Sequence, residues 1–189
     1  MNLPSSLENL LEQGESQTLE FKRSLRLRRE GLEALCAMVN ADSAFGIVIF
    51  GVENNGSVCG IEQGNLDQTQ RSLSQAIDSG FDPPIAVQIE IGELNDRQIL
   101  VLRAERSRSV PYHEYDGRAW IRQGTETRRL TLSQRQQLER RRNRDLHPGP
   151  WRCDRCGTSV LQLISGEFTN EGIVRTYRCS CGGEFWPVT

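Results

Sequence analysis

The nine residues AFGIVIFGV at 44–52 are the longest nearly apolar run in the chain, and they constrain the fold most. A helix needs ~20 apolar residues to cross a bilayer, so this run is far too short to do so. It reads instead as a buried strand over 46–52, which other elements must cover. The flanking sequence supplies them. Leu32, Leu35, Cys36 and Val39 recur at helical spacing before the strand, and ENNG at 53–56 provides a turn after it. Upstream, Leu7, Leu10 and Leu11 predict a short helix ended by Gly14. The stretch TLEFKRSL then alternates as a strand, with Thr18, Glu20 and Lys22 on a polar, outward face.

Downstream, Leu66, Gln70, Leu73 and Ile77 mark a helix closed by Gly80. IAVQIEI (85–91) and RQILVLR (97–103) read as a hairpin turning at Leu94-Asn95-Asp96, and RAWIRQ (118–123) as a further strand. Thr131 opens an arginine-rich helix to about Asn143, with Gln134 three residues on completing a capping box. Helices interleaved with hairpin strands predict an α+β (mixed α/β) domain over 1–144. DLHPGP at 145–150 reads as a linker, and 151–189 as a small second module.

That module holds Cys153-x2-Cys156 and, after 22 intervening residues, Cys179-x-Cys181. Two thiolates on one tight turn grip one edge of a Zn²⁺ tetrahedron and a second pair completes it, which predicts a structural zinc ribbon. Four protein ligands leave no open coordination position, so such a zinc would not be catalytic. Trp151, Phe168, Tyr177, Phe185 and Trp186 can stack on bases or form the module's small core. Cys36 and Cys59 lie in apolar surroundings and read as packing residues. Cysteine paired for metal rather than for disulfides suits a reducing, cytoplasmic setting, and the N-terminus shows no basic n-region of a secretory signal.

A net charge of −2 hides a gradient, since residues 97–144 carry 13 arginines against 5 acids while residues 1–96 carry 15 acids against 6 bases. The basic segment can meet a polyanion, although arginines that are simply solvated give the same count. Candidate phosphate contacts are Arg118, Arg122, Arg128, Arg129, Arg135, Arg140, Arg141, Arg142 and Arg144. His113 can serve as an acid or base, or can simply pack.

Three segments, taken in order, resemble one known family. ESQTLEFKRS, ALCAMVNADSAFGIVIFGVENNGSVCGI and GRAWIRQGTETRRL are similar to the AlbA_2 domain of the Schlafen family over residues 15–130 or so. The resemblance implies a mixed α/β AlbA_2-like lobe. It also implies divalent-metal-dependent cleavage of structured RNA such as tRNA, held in a basic groove that a single lobe completes by dimerising. The family's two glutamates fall on Glu15 and Glu20, while the place of its third acid is taken by Asn54, with Glu53 beside it. Clustered carboxylates hold Mg²⁺ or Mn²⁺, an amide oxygen can still ligate a hard cation, and Lys22 can neutralise charge on the phosphate. Lys22 is the chain's only lysine. The domain is also labelled ATP-binding in places, but no GxxxxGK[S/T] cradle occurs here. Three functions remain open on this reading: a metal-dependent endoribonuclease, a non-catalytic regulator or adaptor that binds RNA or DNA, and a protein-interaction module.

Overall fold

The computed structural model describes residues 3–62, 66–107, 110–146, 161–169 and 172–179. At 3–6, 66, 140, 141, 143–146 and along 161–179 it describes the backbone alone. The chain divides into two compact units, 1–143 and 144–189. In chain order the elements are α1 (Leu3–Gln13), β1 (Leu19–Lys22), a 3-10 turn (Leu25–Leu27), α2 (Arg28–Asn40), β2 (Phe45–Phe50) and α3 (Leu66–Gly80). There follow β3 (Phe81–Asp82), β4 (Val87–Leu94), β5 (Arg97–Glu105), β6 (Glu114–Tyr115), β7 (Arg118–Gln123), β8 (Glu126–Arg129) and α4 (Leu132–Leu146). β9 (Leu161–Thr169) and β10 (Gly172–Cys179) complete the set.

β1, α2 and β2 form a parallel crossover, with Leu19 opposite Ile47 and Lys22 opposite Phe50. β2 then pairs antiparallel with β5, and β5 with β4, giving the order β1-β2-β5-β4. The apolar run is buried on both faces. Leu19, Phe21, Ile47, Ile49, Ile99 and Val101 pack with Leu7 of α1 on one side. Val48, Phe50, Leu100 and Leu102 pack with Leu32, Leu35 and Met38 of α2 and with Leu73 and Ile77 of α3 on the other.

Local chemistry sets the turns. Gly14, at φ +70°, ends α1 in the left-handed region, and its N–H donates to Leu11 O at 3.2 Å. Asn95 and Asp96 both hold positive φ, 53° and 57°, as the two-residue link between β4 and β5. That is the signature of a type I′ hairpin, whose twist matches its strands. At the start of α4, Gln134 Oε1 accepts from Thr131 N at 2.9 Å while Gln134 N donates to Thr131 Oγ1 at 3.3 Å, the reciprocal pair of a capping box. Gly80 ends α3 for a different reason: a Cβ there would lie 2.4 Å from the Tyr115 ring, so the close packing of β6 requires glycine.

A second sheet, β3-β6-β7-β8, is antiparallel throughout. Trp120 of β7 packs against the α2 core, and Ala119 packs with Leu130 and with Leu138 of α4. The first unit is therefore a mixed α/β lobe in which β7 lies between α2 and α4. In the second unit β9 and β10 form a hairpin that pairs Thr169 with Gly172 and Leu161 with Cys179, with a bulge between Thr176 and Tyr177. Cys153, Cys156 and Cys181 lie outside the described residues. Among the described residues no helix is long and apolar enough to cross a membrane.

Candidate functional site

Because Leu19 and Phe21 face α1, strand alternation turns Glu20 and Lys22 towards α2. The sequence pattern placed this polar face outward. In the structure Glu20 is only 8 % exposed, and Arg122 of β7 reaches it. Glu20 Oε2 accepts from Arg122 Nη2 at 2.5 Å, and Oε1 accepts from Lys22 Nζ. Arg122 also donates to Ser16 O at 3.2 Å and to Thr127 Oγ1 at 2.9 Å, and its side chain is 1 % exposed. Glu15 folds back onto the same strand, its Oε1 accepting from Phe21 N at 3.0 Å. Glu20 and Lys22 are thus paired on β1, while Glu15 is held by the strand's backbone.

The turn after β2 leaves beside the end of β1, where Gly51 N donates to Lys22 O at 2.7 Å. Glu53 there pairs with Arg23 Nε at 3.7 Å, and Asn54 is exposed. The carboxylates of Glu15 and Glu20 are balanced by the cations of Lys22 and Arg122, and both oxygens of Glu20 are engaged. A hard dication needs open carboxylate oxygens and a net negative site. As arranged, these residues do not fit Mg²⁺ or Mn²⁺. Among the described residues no group of three or more His, Cys, Asp or Glu side chains stands close enough to hold a metal ion.

The arginines divide by burial. Arg118 and Arg129 are exposed on β7 and β8. Arg128 is exposed and donates to Glu126 at 2.6 Å and to Gln123 Oε1 at 3.1 Å. Such an exposed pair is worth little and exchanges readily for a stronger anion. Arg135 donates to Glu114 at 2.6 Å. Arg122 and Arg142 lie where phosphate cannot reach them, contrary to the sequence-based expectation. Arg142 donates to Pro111 O, to Asn40 O at 2.5 Å and to Ala41 O at 3.2 Å, so its charge closes the carbonyl end of α2. The side chains of Arg140, Arg141 and Arg144 lie outside the described residues.

One residue that the sequence did not single out holds this region together. Asn40, fully buried at the end of α2, donates to His113 O at 2.7 Å and Trp120 O at 2.9 Å, and accepts from His113 N at 2.9 Å. A polar residue ending an otherwise apolar helical face was the available signal. His113 itself is buried, with its Nδ1 at 2.7 Å from Pro83 O. Burial lowers its pKa, and Arg106 and Arg142 lower it further, while the bond to Pro83 opposes them. It is a packed histidine rather than an acid or base at the surface. Cys36, at the same junction, donates to His113 O at 3.3 Å, and burial pushes its thiol up to about 12, too high for a nucleophile.

A depressed histidine pKa makes stability pH-dependent in a defined direction. The unfolded chain binds a proton near ~6.5 while the folded chain resists it. The stabilising contribution is therefore complete above that value and declines as pH falls towards the folded pKa. Urea unfolding between about pH 7.5 and about pH 5.5 should show this loss, and His113→Phe should flatten it.

The family pattern described as Schlafen, AlbA_2 matches residues 15–131. Among solved structures, the chain is similar to the DIP2311 protein of Corynebacterium diphtheriae, with a TM-score of 0.51 and 16% identity. That match covers 73% of this chain but only 28% of the other, so this chain spans just over a quarter of that protein's length. The N-terminal domain of a RecG-related protein from Nitrosomonas europaea gives a TM-score of 0.47 at 20% identity, covering 67% of this chain and 94% of that domain. No curated protein matches the chain. The matched segment begins at Glu15, takes in β1, the α2 crossover and the Arg122 strand, and spans more than half of the sequence. The chain belongs to the Schlafen AlbA_2 family.

Proposed function

We propose that this chain is a nucleic-acid-binding module that holds structured RNA, or DNA, by its phosphates and does not cut it in the arrangement described. The observation that carries this reading is the set of exposed arginines on β7 and β8, Arg118, Arg128 and Arg129, within a segment of 13 arginines and 5 acids. Arginine forks match phosphate oxygens, and counterion release makes such binding steeply dependent on salt. A second copy of the chain would supply the other half of a groove, and a C-terminal zinc ribbon would bind nucleic acid itself or dock a protein partner.

The test is binding of a fluorescent tRNA across a salt series. Arg118→Glu with Arg129→Glu is expected to weaken binding about 100-fold at low salt and to reduce the slope against log salt by about 2. An unchanged affinity and slope would remove these residues from the interface. If neither RNA nor DNA binds at low salt, the protein-interaction reading takes over.

Cleavage is the second reading, favoured by the pairing of Glu20 with Lys22 on β1 and the binding of Glu15 to the same strand. It requires Arg122 to leave Glu20 and free an oxygen for Mg²⁺ or Mn²⁺. Manganese-dependent cleavage of tRNA that is lost in folded Glu15→Ala and Glu20→Ala variants would establish it. Cleavage that survives both would belong to another site.

A further inference from the structure

Beside the Arg122–Glu20 pair lies a cleft of about 370 Å³ within the first unit. Its apolar lining comes from Ile121 of β7, from Leu130 and from Leu138 of α4. Gln17, Gln134 and Gln137 also line it and bring three carboxamides to one small space. The volume is at the lower limit for a pocket that takes one small organic group.

The chemistry of the lining selects the occupant. Among the described residues that line the cleft the cation is Arg122, and its charge is already matched by Glu20. The described lining therefore offers a phosphate no unmatched cation. Carboxamides, by contrast, present a donor and an acceptor side by side, which is the pattern that reads the edge of a nucleobase. Gln134 Oε1 is held by Thr131, so this side chain offers its N–H₂ group. Apolar walls then clamp the flat faces of the ring, as they do around bases drawn out of a stack.

The phosphate has its own place. Ile121 pairs directly with Arg128 across β7 and β8, so both side chains stand on one face of the ladder, within reach of a single nucleotide. Arg128 is exposed, and its partner there is the exposed Glu126, an exchangeable pair.

We propose that this cleft seats one unpaired nucleobase, with the phosphate of the same nucleotide on Arg128. The inference rests on the nucleic-acid-binding reading and narrows it to strands that offer an unstacked base, whether a single strand or a loop. Gln137 is exposed on α4, and tryptophan there fills the cleft without entering the core. Gln136→Trp, one position along on the same helix and outside the cleft, is the control.

Fluorescence anisotropy with a short labelled single-stranded RNA and with the blunt duplex of the same sequence provides the readout. Gln137→Trp is expected to weaken single-strand binding about tenfold or more while leaving duplex binding and the Gln136→Trp control unchanged. A 2-aminopurine placed within the single strand should change its fluorescence on binding to the wild-type protein but not to Gln137→Trp. If single strand and duplex bind alike and Gln137→Trp alters neither, the base seat is wrong and phosphate binding stands. If neither RNA binds the wild-type protein, the nucleic-acid reading falls with it.

Discussion

Glu20→Gln is expected to lower the unfolding free energy by about 3–5 kcal/mol, the range for breaking one side of a buried ion pair. The geometry says why this side matters most. Among the described residues Glu20 is the only carboxylate paired with Arg122, whose side chain is 1 % exposed, so the mutation leaves an uncompensated charge in the interior. Arg122→Met should cost less, towards the lower end of that range, because Glu20 keeps Lys22. The pair also joins two sheets, since Glu20 sits on β1 and Arg122 on β7, 102 residues away along the chain. Arg122→Lys should not rescue, because a single ammonium cannot span Glu20, Ser16 O and Thr127 Oγ1 as the planar fork does. Replacing both partners together, Glu20→Leu with Arg122→Met, should recover most of the loss, because an apolar pair removes the desolvation problem from both sides. A urea-unfolding cycle of the two singles and the double measures the coupling. A coupling near zero would show that the contact contributes nothing to joining the sheets.

That same contact marks the limit of what the sequence discloses. The features legible in advance are local: the run that became β2, the turn at Asn95-Asp96, the Thr131–Gln134 capping box and the helical spacing of Leu32, Leu35, Cys36 and Val39. Each depends on residues within a turn or two of one another. Alternation correctly put Glu20 and Lys22 on one side of β1, but a period of two reports which face a side chain takes and not what covers it. Arg122 of β7 reaches Glu20 from the far end of the lobe. Arg122 and Arg142 counted as surface charge for the same reason: a composition shift says that a segment is basic, not that two of its guanidiniums close a buried pair and a helix end. Asn40 escaped notice because its partners, His113 and Trp120, are more than 70 residues away. The two-residue strands β3 and β6 carry no periodic signal at all.

The second unit should contain about one zinc ion per chain, and Cys153→Ser with Cys156→Ser should abolish both the metal and the folded state of that unit. Structural zinc supplies apparent binding free energy on the order of 10–16 kcal/mol in small domains, which in such modules is the folding free energy. A tail of this size has too little apolar surface to stand alone. Cys179 is the last residue of β10 and pairs with Leu161, the first of β9. Leu161 follows Cys156 by only five residues, a span of about 17 Å at full extension. Zinc analysis by plasma mass spectrometry gives the stoichiometry, and limited proteolysis with and without a chelator gives the consequence. Chelation should open the chain beyond α4 to protease while the first unit, whose core holds no cysteine pair, keeps its melting transition. A tail that stays protected in chelator and opens only with a reductant would instead be closed by disulfides, and the oxidising setting that implies would overturn the zinc assignment.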